Sequence, residues 1–291
     1  MRKSFGLLIA LATTALPAMA QNSGLERLSR PDQVQSWKAV GRVDLAGEGY
    51  CTGTLIAADL VLTAAHCLFD SRGKPVDPAK ITFRAGFADG ASIAESGVAR
   101  AVAHDEYTAG TTGTSNARQV QRDVALLQLA QPISTALAPP FAVSSPGKGD
   151  EVSVVSYARG RSEALSWQRA CTVLGRQQGL IAVDCDVTFG ASGAPVFDRS
   201  YGRAQIVSII SGGGSDGSRD FALGMELPKL VTDLKAQLRA GRGVVEAQGA
   251  RETAAIATPK MPGSAGKRIA VGQGGTGTRA GGARFIKAPS N

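Results

Sequence analysis

The stretch "CTGTLIAADLVLTAAHC", residues 51–67, is a run of apolar and β-branched residues that ends with a histidine beside a cysteine. Its composition predicts short strands in the interior of a β protein. His66 is one of two histidines in the 291-residue chain, and Cys67 is one of four cysteines. The histidine has three interpretations that this stretch leaves open: a catalytic base, a metal ligand or a core residue. The remainder of the chain has to decide between them.

The amino terminus predicts an export signal. Arg2 and Lys3 precede an apolar run from Leu7 to Leu16, and Ala18-Met19-Ala20 provides a small-x-small cleavage pattern. The apolar run is too short to cross the core of a bilayer. We therefore expect residues 1–20 to be removed, and the mature protein to be periplasmic or secreted, without a membrane span.

Export determines how the cysteines are interpreted, because an oxidising compartment favours disulfides over thiolate metal sites. Three pairings are open, and sequence order favours Cys51 with Cys67 and Cys171 with Cys185, each closing a short loop. No CxxC spacing occurs, and only one further histidine exists to join His66. A zinc site therefore lacks ligands, and we predict neither a metal nor a cofactor.

The chain between residues 37 and 241 predicts an all-β body. Short apolar segments rich in β-branched residues alternate with clusters of Gly, Pro, Asp and Ser. One amphipathic helix closes this body: Pro228 suits its first position and Gly241 can terminate it. Its apolar face consists of Leu227, Leu230, Val231, Leu234 and Leu238. The polar residues 21–36 are expected to form an N-terminal arm or a pro-segment.

The formal net charge of +8 is concentrated at the two ends of the chain. The net charge is +2 in residues 1–20 and +5 in the segment from Val244 onward, which leaves a net charge of +1 for residues 21–243. A nearly neutral body without interleaved aromatic and basic residues argues against specific nucleic-acid binding. Residues 242–291, rich in Gly and Ala, are expected to be a disordered tail, either solvated or in weak contact with a polyanion.

Two further segments contain candidate reactive groups. In "FGASGAP", residues 189–195, Ser192 lies between small residues that permit a tight turn with exposed N–H groups, although an ordinary loop has the same composition. In "QRDVALLQLAQPI", Asp123 directly precedes an apolar strand, where a buried carboxylate needs a partner such as an imidazole. An exposed loop aspartate is the alternative interpretation.

Together, "TAAHC", "DVALLQL" and "GASGAP" resemble the chymotrypsin-like serine peptidases, whose triad residues occur in the order His, Asp, Ser. The resemblance covers residues 37–241. It implies two antiparallel six-stranded β-barrels with the active site between them and a C-terminal helix. It also supports the Cys51 to Cys67 disulfide.

The resemblance implies a role for each of these residues. Ser192 is the expected nucleophile, His66 its general base, and Asp123 the group that orients the imidazole. The N–H groups of Gly190 and Ser192 are expected to form the oxyanion hole. His104 is assigned to packing.

Ala191 departs from the digestive members of the family, which have an aspartate there that binds the new N-terminus on activation. That switch is therefore not expected here. The "GASGAP" turn and the export signal are more similar to the bacterial trypsin-like branch that includes the glutamyl, or V8-like, endopeptidases.

Substrate preference has three open interpretations. Asp186 falls where trypsin-like members bind Arg or Lys before the scissile bond (P1), which slightly favours a basic preference. Thr188 and Ser211 could instead donate hydrogen bonds to an acidic side chain, and a small apolar preference is the third interpretation. Gly212 and Gly213 are expected to leave the pocket open beside a strand that pairs with substrate.

We therefore predict a monomeric, cofactor-free secreted serine endopeptidase. The alternative is a catalytically silent protein of the same fold that its basic tail attaches to polyanionic surfaces.

Overall fold

The computed structural model describes residues 24–46, 49–109, 116–145, 147, 151–200, 202–215 and 220–248. The predicted signal, residues 1–20, and the tail beyond residue 248 lie outside this part of the chain. None of the helices in the described part is long and apolar enough to cross a membrane.

The described residues form fourteen strands and three α-helices. The strands are β1 (Leu25–Arg27), β2 (Val40–Leu45), β3 (Gly49–Ala57), β4 (Leu60–Thr63), β5 (Ile81–Ala85), β6 (Ala94–Ala103), β7 (Ala125–Leu129), β8 (Glu151–Ala158), β9 (Arg161–Gln177), β10 (Leu180–Val183), β11 (Pro195–Asp198), β12 (Gln205–Ser215), β13 (Asp220–Met225) and β14 (Val244–Glu246). The helices are α1 (Pro31–Val34), α2 (Ala117–Arg122) and α3 (Pro228–Ala240).

The strands close into two antiparallel barrels, as the sequence predicted. The first has the order β6-β5-β2-β3-β4-β7 and is closed by pairing between β6 and β7. The second has the order β9-β10-β13-β12-β11-β8 and is closed by pairing between β8 and β9. Each six-stranded barrel gains one short edge strand within the described residues: β14 beside β6 and β1 beside β9. Closure leaves few open sheet edges.

Alternating side chains fill the first barrel. In β2 the residues Val43 and Leu45 are buried between less buried neighbours, and in β5 Ile81 and Phe83 follow the same period of two. This is the pattern of strands with one face toward a core. β4 is buried along its whole length because it lies between β3 and β7. β4 ends at Thr63, and His66 lies in the turn that follows.

Helix α3 packs on the first barrel with the predicted apolar face. Leu230, Val231, Leu234 and Leu238 are buried, and Pro228 occupies the first turn. Gly241 ends the helix with a φ of +68°, a left-handed conformation that glycine adopts readily. Arg100 of β6 donates to the carbonyl oxygen of Leu238 at 2.8 Å, which fixes the helix end to the barrel.

The folded body extends beyond the boundaries expected from the sequence. Val244–Glu246 pairs with β6, so residues 244–246 are not part of a disordered tail. The edge of β6 supplies hydrogen-bond partners that composition alone does not reveal. At the other end, Leu25–Arg27 pairs with β9, and Leu28 and Val34 are buried. The segment from residue 25 therefore packs against the folded body.

Candidate active site

His66 lies in a short 3-10 turn directly after β4. The turn covers Ala65–Leu68, and Ala64 before it is extended. The Cys51–Cys67 disulfide ties this turn to β3, while Cys171–Cys185 joins β9 to the segment after β10, so both predicted disulfides are present. The His66 side chain remains 36 % exposed. One of its faces is therefore open to solvent while its backbone is fixed.

Asp123 follows α2 and is buried, with a side chain only 5 % exposed. Its carboxylate accepts three hydrogen bonds: 2.8 Å from the backbone N–H of His66, 2.7 Å from Nδ1 of the same residue and 2.5 Å from the hydroxyl of Ser211. Three donors offset the cost of burying the charge. The Nδ1–H bond leaves Nε2 of His66 as the proton acceptor.

Opposing effects set the pKa of the His66 imidazole. Burial lowers it, whereas the charge of the Asp123 carboxylate and the hydrogen bond from Nδ1 raise it. The net result is a pKa above the ordinary histidine value. An imidazole that is fixed by a carboxylate and readily protonated has the properties of a general base.

Ser192 lies in the loop between β10 and β11, after a tight turn. The N–H of Ala191 donates to the carbonyl oxygen of Thr188 at 3.0 Å, and Gly190 has a φ of +91°. These features define a type II turn, whose third position requires a positive φ and favours glycine. In the described part of the chain, neither Gly190 nor Ser192 uses its N–H group in a hydrogen bond.

A backbone contact orients the peptide unit between Phe189 and Gly190. The N–H of Arg159, at the tip of the β8–β9 hairpin, donates to the carbonyl oxygen of Phe189 at 2.7 Å. Because the carbonyl and N–H of a trans peptide point in opposite directions, this bond directs the Gly190 N–H away from the hairpin. The group is thereby available to a ligand on the other side.

Thr52 connects this loop to the first barrel. Its backbone N–H donates to the carbonyl oxygen of Ser192 at 2.8 Å, and its hydroxyl donates to that of Gly190 at 2.9 Å. Gly193, with a φ of +77°, permits the close approach: a Cβ there would lie 2.3 Å from the carbonyl oxygen of Thr52. Sequence reasoning missed Thr52, because a buried threonine in a strand carries no recognisable signal.

A cleft of about 680 Å³ brings His66 and Ser192 together. Its remaining walls within the described residues are Val120, Val187, Thr188, Phe189, Ile210, Ser211, Gly212, Gly213 and Leu223. Thr188, Ser211, Gly212 and Gly213, which the sequence assigned to the substrate pocket, all line this cleft. Ser211 differs in role, because its hydroxyl is bonded to Asp123.

Asp186 is not among the residues that line this cleft. It is exposed, and its backbone N–H donates to Oε1 of Gln168 at 2.7 Å. The interpretation of Asp186 as the base of the pocket is therefore corrected. Asp186 directly follows Cys185, which the disulfide ties to Cys171 of β9.

The described residues contain one group of potential metal ligands and a second histidine, His104. Ligand atoms of Cys51, His66 and Cys67 lie within 4.8 Å of one another, but both sulfurs are in the disulfide and cannot act as thiolates. His104 is buried, and its Nδ1 accepts from the N–H of Glu106 at 3.3 Å. Burial lowers the pKa of His104, which fits packing rather than catalysis.

Two solved structures show the same fold. A Glu endopeptidase in complex with MPD aligns with a TM-score of 0.59 and 18% identity, covering 75% of this chain and 96% of that chain. Protease Anisep from Arthrobacter nicotinovorans aligns with a TM-score of 0.51 and 18% identity, covering 65% of this chain and 90% of that one. At this identity the likeness concerns the fold alone.

Sequence comparison identifies the family. Serine protease 23 of Rattus norvegicus is 31% identical over 187 residues, and that of Homo sapiens is 30% identical over 187 residues. The chain spans about half of the length of these relatives, since the matches cover 48% of each. The family described as trypsin-like peptidase domain matches residues 51–205, more than half of the chain. The chain therefore belongs to the trypsin-like peptidase family and has the chymotrypsin fold.

Proposed function

We propose that this protein is an exported serine endopeptidase that cleaves peptide bonds through Ser192, His66 and Asp123. The observation that carries the proposal is the 2.7 Å contact between Nδ1 of His66 and Asp123 in a cleft that Ser192 also lines. Export is supported by the two disulfides, which form and persist in oxidising compartments.

The first half of the reaction forms an acyl-enzyme. Oγ of Ser192 attacks the scissile carbonyl carbon while Nε2 of His66 takes the hydroxyl proton. The carbonyl oxygen becomes an oxyanion, which accepts hydrogen bonds from the N–H groups of Gly190 and Ser192. When the C–N bond breaks, the leaving amine takes the proton from Nε2. Asp123 stabilises the imidazolium throughout without itself being protonated.

The second half releases the product. Water enters where the amine left, and Nε2 of His66 takes one of its protons as its oxygen attacks the ester carbonyl. The second oxyanion occupies the same N–H pair, and its collapse returns the proton to Oγ of Ser192. Neither a metal nor an organic cofactor is needed for this cycle.

We further propose that the P1 pocket prefers a neutral side chain. Among the described residues that line the cleft, His66 is the only one with an ionisable group, and the others are apolar, glycine or hydroxyl residues. An acidic or basic P1 side chain would lose hydration there without gaining a charged partner. The Ser211 hydroxyl, already bonded to Asp123, is not free to recognise an acid.

Fluorophosphonate labelling of the secreted, folded protein tests the reaction. We expect label on the peptide that contains Ser192, its loss in Ser192→Ala, and retention in Ser200→Ala, an exposed serine outside the cleft. Peptide turnover should fall about 10⁶-fold in Ser192→Ala, as in other serine peptidases. A folded protein that takes up no label and cleaves no peptide would rule the proposal out.

Asp186→Asn tests the neutral pocket. We expect the ratio of cleavage after Arg to cleavage after Leu to be unchanged. Gly213→Ala is the positive control, because it changes a residue that does line the cleft. Its Cβ would lie 3.5 Å from the Phe221 carbonyl oxygen, an ordinary contact distance, and would narrow the cleft. In this variant, cleavage after Leu should fall relative to cleavage after Ala. A selective loss of cleavage after Arg in Asp186→Asn would instead support a basic P1 preference that depends on Asp186.

A further inference from the structure

The tip of the β8–β9 hairpin forms a cationic surface against the cleft. Ala158 pairs with Arg161, so Arg159 and Gly160 form the turn, with Gly160 at a φ of +78°. The Arg159 guanidinium carbon lies 4.3 Å from the ring centre of Phe189, a stacked cation–π arrangement. Phe189 itself is 71% exposed, although it lines the cleft. An aromatic ring held at the rim in this way has area to lose on substrate binding.

The proposed chemistry determines which part of a substrate passes this tip. The leaving amine takes its proton from His66, so the chain beyond the scissile bond must run along the His66 side of the oxyanion turn. That side includes the Cys51–Cys67 disulfide and Tyr50, whose ring covers Gly190: a Cβ on Gly190 would lie 2.4 Å from Cε2 of Tyr50. Neither Tyr50 nor Arg159 lines the P1 cleft in the described structure.

Positive charge exceeds negative charge at the tip. Within the described residues the Arg159 guanidinium contacts the Phe189 ring and forms no ion pair, and Nη1 of Arg161 is buried without a hydrogen-bond partner. Burial lowers the pKa of the Arg161 guanidinium, while the nearby Asp186 and Tyr50 raise it. Asp186 thus offsets one of two arginines. Glu163 is directed to Arg42, at 3.4 Å.

We propose that Arg159, stacked on Phe189, selects substrates with an acidic side chain at the first or second position after the scissile bond. This inference rests on the proposed peptidase function. The stacked guanidinium keeps the N–H groups of its edge free, and these match the two oxygens of a carboxylate. Phe189 supplies apolar contact to the stem of the acidic side chain. In this proposal Arg159 recognises the part of the substrate after the scissile bond, and it does not contact the P1 side chain.

Paired peptides test the proposal. A sequence that the enzyme cleaves is selected from a randomised pool, and internally quenched versions are made with Glu, Gln or Lys at the first or at the second position after the scissile bond. All are assayed with the wild type, Arg159→Gln and Arg159→Glu. Arg159→Gln retains the backbone N–H that holds Phe189. Arg239→Gln, an exposed arginine of α3, is the matched control. A small ester without a leaving peptide reports the chemistry alone.

We expect the wild type and Arg239→Gln to prefer the Glu peptide about two- to fivefold, the range of an exposed charge pair. Added salt should weaken that preference. Arg159→Gln should abolish it, and Arg159→Glu should reverse it toward a Lys peptide; each preference is a ratio of kcat/KM values, so any change in the chemistry, reported by the ester, cancels. Equal cleavage of the Glu and Gln peptides by the wild type at both positions, or a preference that survives in Arg159→Gln, would overturn this inference alone. Failure of ester hydrolysis and of fluorophosphonate labelling would overturn the proposed function with it.

Discussion

The hydroxyl of Thr52 donates a 2.9 Å hydrogen bond to the carbonyl oxygen of Gly190 and so couples the first barrel to the oxyanion turn of the second. The same hydroxyl accepts the N–H of Tyr157 at 3.0 Å. Digestive relatives order this turn with an aspartate and a new N-terminus, but here that position is the buried Ala191. The first barrel therefore supplies a hydrogen bond that holds this turn.

Thr52→Val should remove this coupling while preserving shape. The Tyr157 N–H and the Gly190 carbonyl lose a buried partner, which costs about 1–3 kcal/mol of unfolding free energy. A displaced Gly190 N–H should also lower kcat about tenfold, less than full loss of an oxyanion donor. Denaturant unfolding and ester turnover measure the two effects. Thr52→Ser, which keeps the hydroxyl, should retain both the stability and the kcat of the wild type. If kcat were unchanged in Thr52→Val, the hydroxyl would have only a structural role.

The sequence predicts the short strands and helix α3 because both depend on local patterns, whereas the two barrels and the triad follow from the family resemblance. Alternating burial in β2 and β5 and the apolar stripe of α3 follow directly from residue periodicity. The contacts that position the oxyanion turn, such as that between Thr52 and Gly190, span 138 residues. Such contacts depend on how two barrels meet, which no local pattern encodes.

Asp186 and β14 show two other limits of prediction from the sequence. The spacing of Asp186 from Ser192 resembles that of a pocket acid, but the direction of a loop depends on its disulfide and neighbours rather than on spacing. Val244–Glu246 lies at the start of a segment with a disordered composition. Its pairing depends on the edge of β6, where the partner of Val244 is Val102, 142 residues earlier in the chain.

His66 and His104 should titrate on opposite sides of the ordinary histidine pKa. Asp123 holds the pKa of His66 above that value, whereas burial holds the pKa of His104 below it. NMR can follow both because the chain has only two histidines. Since the neutral imidazole is the base, kcat/KM should fall as pH decreases through the raised pKa of His66. A His66 titration below the ordinary value would contradict this assignment.

Asp123→Asn should reverse the shift at His66. Burial then remains the dominant influence, and it lowers the pKa, so the acid limb of the residual activity should move to lower pH. Turnover should fall about 10⁴-fold, as in trypsin, because the imidazole loses its orienting carboxylate. The His104 titration serves as an internal control and should stay in place. An unchanged acid limb would mean that another group controls it.

Gly193→Ala should be far more harmful than Gly241→Ala, although both glycines have a positive φ. At Gly241 a Cβ meets no atom within 4 Å, so the cost is the left-handed backbone alone, roughly 1–2 kcal/mol. At Gly193 it would also lie 2.3 Å from both the Thr52 carbonyl oxygen and the Thr63 hydroxyl. Relieving that overlap must displace Ser192. We expect Gly241→Ala to retain full turnover per folded molecule and Gly193→Ala to lose it. If the two variants lowered the melting temperature and the turnover equally, the close approach of Gly193 to Thr52 and Thr63 would be contradicted.

Replacing each disulfide by an alanine pair should separate stability from catalysis. The bonds close loops of similar sequence separation, 16 and 14 residues, so chain entropy predicts a similar loss of about 3 kcal/mol for each. Only the Cys51–Cys67 bond adjoins His66, and its removal should lower kcat. Loss of Cys171–Cys185, which precedes the Val187 and Thr188 wall of the cleft, should instead raise KM. If kcat is unchanged without Cys51–Cys67, the two hydrogen bonds from His66 to Asp123 are sufficient to position the imidazole.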